Sequence, residues 1–406
     1  MSDTGIIRSI LDNDLYKFTM QQGVVELFQR EWVRYSFINR GKTEFPDGFA
    51  LKLRQELKRM EQLKLNQKQA DFLTTKCGKF LKPTYIDFLK SYQFDSSEIG
   101  ITQDGGELTV TIEGYWYRTI LWEVPLMALI SELYFKMTGE SIMSRDERRE
   151  NNLEKGQKFY TNGMKVADFG TRRRYSYENQ LELVKDLQSC FNNGNPFLVG
   201  TSNVHIAMEL DLQPIGTHAH EWFMFHAVHY GYTMANPRGV ENWVKVYKGD
   251  LGIALPDTFT VDVFFRTFDT KEAKLYDGLR HDSGDPFKFA DKVVAHYEKL
   301  GIDPASKTIV FSDGLNTDLA VELHNYCKKI GIMCSFGIGT HFTNDVGVKA
   351  LNMVIKIVQV KVGNLWIDTV KLSDNPGKHT GTEEEIKLCK GVLRINSEDK
   401  KIAETA

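Results

Sequence analysis

Six stretches of this 406-residue chain carry side chains whose types and spacing suit the handling of anions and of a flat ring. Asp168-Phe169-Gly170-Thr171-Arg172-Arg173-Arg174 closes a short apolar run with three successive arginines. Guanidinium forks pair bidentately with carboxylates and phosphates, and three in a row cannot all point one way, so one or two of them face a site. A solvated basic turn is the alternative. Gly216-Thr217-His218-Ala219-His220-Glu221-Trp222 sets two histidines two positions apart, and five of the ten histidines lie between residues 205 and 229. On a strand both rings would point to one side, which opens a metal site, although no cysteine or regular carboxylate spacing accompanies them. A histidine nucleophile or base at a strand end fits better. For His218, His226 and His229 a plain buried histidine is the preferred reading.

Arg280-His281-Asp282-Ser283-Gly284-Asp285-Pro286 joins an arginine to two acids around a glycine turn. Asp282 can grip ribose hydroxyls or a divalent ion, while Asp285 before Pro286 suits a helix cap. Asp313-Gly314 after Ser312, and Gly337, Gly339 and Thr340 in Phe336-Gly337-Ile338-Gly339-Thr340, each follow an apolar run. Glycine there lets backbone N–H groups approach a phosphate, or simply makes a turn. Near the start, Asp12 is a helix-cap candidate, and Tyr16 belongs either to the core or to a ring-binding face.

Other chemistries are excluded. A dinucleotide Gly-x-Gly-x-x-Gly fails because position 342 is Phe, and Gly41-Lys42-Thr43 lacks the upstream glycine of a P-loop because position 36 is Ser. The net charge of −3 implies no broad basic surface, so nucleic acid is not an expected partner. The apolar run Ile120 to Phe135 contains Glu123 and Glu132 and reads as a buried helix, not a membrane span. Five cysteines, with no Cys-x-x-Cys pair, point to reduced thiols and a cytoplasmic protein. The first residues lack the basic and apolar regions of a signal peptide.

These residues need elements to position them. Between about 165 and 360, short apolar runs end repeatedly in polar or glycine-rich tips, with helices such as Pro286 to Lys299 and Asn316 to Ile330 between them. Strand, tip, helix, strand is the grammar of parallel α/β folds, where chemistry gathers at the C-terminal strand ends. Seven such tips favour a barrel mouth, and their uneven spacing makes the barrel irregular. The expected division is a mixed α/β domain over 1–140 joined by the tail 359–406, and an α/β barrel over 141–358. The tail, from Val358 onward, reads as strand, turn, strand and is expected to pack on the N-terminal part.

Taken in order, Leu11-Asp-Asn-Asp-Leu-Tyr-Lys, Leu121-Trp-Glu-Val-Pro-Leu, Asp168-Phe-Gly-Thr-Arg-Arg-Arg, Gly200-Thr-Ser-Asn, Ala219-His-Glu-Trp, Leu279-Arg-His-Asp-Ser-Gly-Asp-Pro, Phe336-Gly-Ile-Gly-Thr and Lys371-Leu-Ser-Asp-x-Pro-Gly-Lys resemble the nicotinate phosphoribosyltransferase family over nearly the whole chain. The resemblance implies a type II phosphoribosyltransferase fold, an irregular α/β barrel with a mixed α/β domain from both chain ends. It implies joining of nicotinate to phosphoribosyl pyrophosphate in NAD salvage, giving nicotinate mononucleotide and pyrophosphate. ATP is the expected co-substrate, coupled ligase-fashion through a phosphohistidine, and Mg²⁺ is expected to ride on the pyrophosphate, not in a protein cage.

Residue by residue, His220 maps to the phosphorylated histidine and Asp257 to a carboxylate that orients it. Tyr16 and Phe169 resemble the aromatic pair around the pyridine ring. Arg172 and Arg280 resemble the arginines near its carboxylate and the phosphates, and Thr217 adjoins the histidine. Asp282, Asp313 and Gly314 resemble ribose-contacting positions, and Gly337, Gly339 and Thr340 the 5′-phosphate cradle. In relatives the counterpart of Tyr16 can come from a neighbouring subunit, so a homodimer is compatible with the resemblance. Quinolinate and nicotinamide transferases are the nearest rivals. A metal-dependent barrel hydrolase built on the histidine cluster and a non-catalytic ligand sensor are alternatives of a different class.

Overall fold

Two sheets of opposite construction organise the chain. The computed structural model describes residues 5–190, 197–375 and 379–395. The strands, in chain order, are β1 (Trp32–Ile38), β2 (Ile99–Asp104), β3 (Glu107–Tyr115), β4 (Val166–Asp168), β5 (Leu198–Thr201), β6 (Ile253–Ala254), β7 (Gly278–His281), β8 (Thr308–Phe311), β9 (Met333–Ile338), β10 (Val354–Val362) and β11 (Leu365–Asp368). The first sheet has the order β11-β10-β1-β3-β2, and the second β5-β4-β9-β8-β7-β6.

Every pairing of the first sheet is antiparallel. Gly105-Gly106 turns β2 into β3, and Gly363-Asn364 turns β10 into β11, as two-residue turns favour for antiparallel neighbours. β10 lies against β1 with Ser36 opposite Lys356 and Tyr35 opposite Ile357, so a segment near the C-terminal end shares a sheet with the N-terminal strands. Along β10, Ile355 and Ile357 are buried and alternate with the half-buried Val354 and Lys356. One face is therefore core, and the other carries a cation.

Every pairing of the second sheet is parallel. Parallel neighbours need crossovers, and helices Pro286–Lys299 and Thr317–Ile330 supply those from β7 to β8 and from β8 to β9. Asp285 caps the first of these, accepting the backbone N–H of Phe287 at 2.9 Å and of Lys288 at 3.2 Å, with Pro286 at the first helical position. Six of the seven expected tips follow strands of this sheet. The seventh, at Pro214, makes only an isolated bridge to Thr201, because proline has no N–H to carry a ladder further. Among the described residues, hydrogen bonds do not close the sheet into a barrel. Buried side chains of both sheets form one continuous apolar core.

Two local expectations are corrected. Asp12 is not the first helix's cap: helix Leu15–Leu27 begins three residues later, with Asp14 at the cap position and no side-chain cap bond. Asp12 is instead fully buried and holds Arg174 through both oxygens, at 2.6 and 2.8 Å. The His218–His220 stretch is not a strand either. His220 is the first residue of helix His220–Tyr230, so the two rings are not held side by side by a β pleat. Among the described residues, no helix is long and apolar enough to cross a membrane. The five cysteines are free, and among the described residues no group of three His, Cys, Asp or Glu side chains is placed to hold a metal.

Candidate active site

Three adjoining hollows meet at the C-terminal ends of the parallel strands. The first, of about 90 Å³, is walled by Tyr16, Phe169, Ile215, Ile253 and Val310, with Arg172 and Arg280 as its cations. Thr217, Gly216, Ser202 and Asp14 complete its rim. Apolar walls around a few placed polar groups are what a small aromatic ligand needs. Arg280 is fixed by Ser312 Oγ at 2.7 Å and by Asp282 Oδ1 at 2.9 Å, and its guanidinium lies 5.9 Å from the Phe169 ring centre. Gly337 makes room for that ring: a Cβ there would come 2.3 Å from Phe169 Cδ2. Gly337 therefore stands beneath the aromatic wall and does not line the cleft beyond it, where Gly339 and Thr340 lie.

That cleft, of about 460 Å³, is lined by Arg40, Arg172, Arg173, Lys356 and Lys371. Asp282, Asp313, Gly314, Gly339 and Thr340 line the same space. Five basic side chains against two acids make its lining electropositive, as an anion site requires. Gly314 turns at φ +62°, a backbone state natural to glycine, and brings the Asp313 loop to the cleft. Arg172 borders both hollows and also lies 3.4 Å from Glu123. Lys356 is pushed down to about 7, first by burial and then by Lys371, with Glu123 opposing.

His220 lies in the third hollow, of about 40 Å³, with Tyr16, Arg172, Arg280, Asp282 and Lys356. These residues also border the other two, so the ring sits at the seam between aromatic pocket and anion cleft. Its Nδ1 is 3.0 Å from Thr258 Oγ1. Its Nε2 is 2.9 Å from Asp282 Oδ2 and 2.8 Å from Lys371 Nζ. Burial holds the imidazole down to about 4, Lys371 pushes the same way, and Asp257 and Asp282 oppose them. The ring is therefore neutral near pH 7, with a lone pair on one nitrogen. Asp257 stands farther off, its Oδ1 3.8 Å from Nε2 and without a hydrogen-bond partner among the described residues, while its Oδ2 accepts from Ser283 Oγ. Burial and the Arg280 guanidinium act oppositely on Asp282, and the net effect holds it well below the ordinary carboxylate range.

The remaining histidines and arginines sort by burial. His218 is fully buried, packs edge-on against Phe223 and Trp243, and has no hydrogen-bond partner on either nitrogen among the described residues. His226 is buried and bonds the Trp222 carbonyl, whereas His229, expected to be buried, is exposed near the end of the same helix, 3.5 Å from Glu31. Of the three arginines, Arg172 and Arg173 reach the cleft, and Arg174 is wholly committed to the interior.

Sequence reasoning gave no role to Lys356, Lys371, Arg40, Arg173, Thr258 or Asp14. For Lys356 a signal existed: a lone cation in the apolar strand Val354-Ile355-Lys356-Ile357-Val358. Lys371 opens the run Lys371-Leu-Ser-Asp-x-Pro-Gly-Lys, of which Pro376, Gly377 and Lys378 lie outside the described residues.

A parallel α/β fold with an aromatic pocket opening on an electropositive cleft has the form that a protein bringing a flat ring to a phosphorylated partner requires. Comparison with known proteins narrows it. Residues 164–397 match the model of the nicotinate phosphoribosyltransferase (NAPRTase) family, and residues 11–131 match its N-terminal domain. Nicotinate phosphoribosyltransferase of Desulforapulum autotrophicum is 52% identical, over 96% of this chain and 99% of its own length. That of Chromohalobacter salexigens is 49% identical, over 96% and 99%. The crystal structure of nicotinate phosphoribosyltransferase from Porphyromonas gingivalis superposes with a TM-score of 0.92 at 43% identity, covering 96% of this chain and 100% of that one. This chain belongs to the nicotinate phosphoribosyltransferase family.

Proposed function

We propose that this protein joins nicotinate to phosphoribosyl pyrophosphate, releasing pyrophosphate and nicotinate mononucleotide for NAD salvage, with ATP turnover coupled through His220. The observation that carries the reading is the shared seam: Arg172 and Arg280 border an aromatic cavity, and Arg172 also borders the five-cation cleft, with His220 between them. Family membership supports the same substrates.

The chemistry follows from that arrangement. Nicotinate's ring nitrogen is already a nucleophile, so no strong base is needed. Tyr16 and Phe169 hold the ring, Arg172 and Arg280 take its carboxylate, and Asp313, Gly314, Gly339 and Thr340 receive the ribose phosphate. Displacement at the anomeric carbon develops positive charge, which Asp282 is placed to stabilise, while Arg173, Lys356 and Lys371 hold the departing pyrophosphate. Asp282 and Asp313 are the carboxylates that would face a Mg²⁺ ion carried by the pyrophosphate, and that ion would neutralise the leaving group.

For phosphoryl transfer, the imidazole proton resides on Nδ1 and is donated to Thr258 Oγ1, and the Nε2 lone pair accepts from Lys371 Nζ until that ammonium turns to the incoming phosphate. Nε2 attacks the γ-phosphorus of ATP, ADP leaves, and Lys371 pairs with the new phosphoryl oxygens. A phosphoryl group adds about −1.5 to −2 of charge, enough to draw the cleft's cations inward and favour a closed state.

The test is pyrophosphate release with nicotinate, nicotinamide and quinolinate, each with and without ATP. Release with nicotinate, accelerated by ATP, is expected. Release with nicotinamide or quinolinate alone overturns the substrate, and equal rates without ATP overturn the coupling.

A further inference from the structure

The ring cavity contains a residue poorly matched to an anionic substrate. Asp14 is the acidic member of its lining and is 2% exposed. It occupies the cap position of helix Leu15–Leu27, yet its carboxyl makes no bond to that helix. Its Oδ1 instead accepts the Ser202 hydroxyl at 2.8 Å. The backbone pins it: Asp14 bridges Asn203, and the next N–H, of Leu15, is bonded to the Ser202 carbonyl at 2.8 Å. The carboxyl is therefore held at the cavity, not merely near it.

The titratable groups around it come from several elements. Arg172 faces it from the Thr171–Arg173 turn, Asp168 from β4 and Tyr16 from its own helix. Glu123, on helix Glu123–Thr138, acts on Arg172 and Tyr16. Arg280 borders the same cavity from β7. Burial pushes the Asp14 carboxyl up to about 6, Thr171, Arg172 and Ser202 pull it back, and Asp168 adds to the rise. An ionised Asp14 competes with a substrate carboxylate for Arg172 and repels it. A protonated Asp14 frees Arg172 and becomes a hydrogen-bond donor, as a neutral acid in an apolar site can be.

We propose that Asp14 is a specificity-determining carboxyl: it takes up one proton from solvent when a pyridine carboxylate binds and, as the acid, donates a hydrogen bond to that carboxylate. Ionised, it favours a ring bearing an N–H donor, such as a carboxamide. The inference rests on the substrate reading given under Proposed function.

The sign follows from linkage. Below about pH 6 Asp14 is already protonated and binding takes up nothing. Above it, each pH unit weakens nicotinate binding by up to about tenfold. Lys356 titrates in the same range from the neighbouring cleft, so a variant must separate the two. Asp14→Asn keeps the size and the acceptor for Ser202 but cannot ionise.

The experiment measures the nicotinate KM from about pH 6 to about pH 8.5 in the wild type and in Asp14→Asn, together with nicotinate calorimetry in two buffers of different ionisation heat. Expected are a KM that climbs with pH in the wild type and is flat in the variant, and proton uptake near pH 7.5 in the wild type alone. Parallel profiles, or no proton uptake by the wild type, overturn the proposal. If that variant does not fold, absence of proton uptake by the wild type still overturns the proposal, and uptake that persists in Lys356→Met, which lacks the other group titrating in this range, supports it. A wild type that releases no pyrophosphate with nicotinate at any pH means that the substrate reading itself has failed, a separate outcome.

Discussion

Lys371 Nζ stands 2.8 Å from Nε2 of His220, across 151 residues of sequence. The lysine comes from the segment after β11 and the histidine from the start of helix His220–Tyr230, so the folding of the C-terminal segment sets the charge around the imidazole. Lys371 is the second cause, after burial, of the depressed His220 value of about 4. Lys371→Met is therefore expected to raise the His220 pKa toward its ordinary value and to slow phosphorylation by ATP. Ring-proton NMR titration and radiolabelled phosphate incorporation read the two effects. An unmoved titration would detach Lys371 from this role.

His220→Ala is expected to lose labelling by ATP and the ATP-dependent acceleration while keeping a slow transfer, because the ring cavity and most of the anion cleft remain. A variant still labelled by ATP would place the phosphoryl acceptor elsewhere.

Much of this site was legible in order along the chain. Strand tips at 168–174, 280–286, 312–314 and 336–340 do converge, because parallel strands all deliver their C-terminal ends to one side. Three things were not legible. Which arginine of 172–174 faces outward depends on Asp12, which is 162 residues from Arg174 and was itself read as a cap. Whether His218 and His220 share a face depends on a helix starting at His220, and Pro214 breaks the ladder just before. Lys356 and Arg40 reach the cleft through the other sheet, where β1 and β10 pair although they lie near opposite ends of the chain. Local pattern carries no information about such meetings.

Neighbouring arginines should separate binding from stability. Arg172→Ala removes a cation from the ring cavity and leaves Glu123 still paired with Lys17. A charged hydrogen bond is worth about 1.5–3 kcal/mol, so the nicotinate KM is expected to rise roughly 10- to 150-fold with little change in melting temperature. Arg174→Ala strands the buried Asp12 carboxylate and is expected to cost about 3–5 kcal/mol of stability. Thermal melts alongside Michaelis constants test the contrast, which the reverse pattern would refute.

Acid should destabilise the fold through its buried histidines. His218 and His226 are each held down to about 3, and His220 to about 4, burial being the main cause in all three. Their folded values lie below the unfolded value of about 6.5, so between about pH 6.5 and those values the unfolded chain binds more protons, and stability falls as pH falls. At about pH 5 each such histidine costs roughly 2 kcal/mol, from 1.5 units at 1.36 kcal/mol. Stability is fully present above about pH 7. His218→Leu is expected to shallow the loss of melting temperature between about pH 7 and pH 5, since its ring has no hydrogen-bond partner to lose among the described residues.

Gly337→Ala isolates the aromatic wall. Its Cβ would meet Phe169 Cδ2 at 2.3 Å and Cε2 at 2.4 Å, well inside contact distance, and Gly337 is held in register by β4 opposite Ala167. The strand is fixed on both sides, so the ring moves and not the backbone. Over-packing of this kind costs about 1–3 kcal/mol, and the displaced ring narrows the cavity that Tyr16 also lines. Gly337 does not line the phosphate-sized cleft, so its alanine variant is expected to raise the KM for nicotinate far more than that for phosphoribosyl pyrophosphate. Initial rates with each substrate varied in turn measure the split. A rise confined to the phosphorylated substrate would instead make Gly337 part of the phosphate cradle and leave the position of Phe169 to be explained by other contacts.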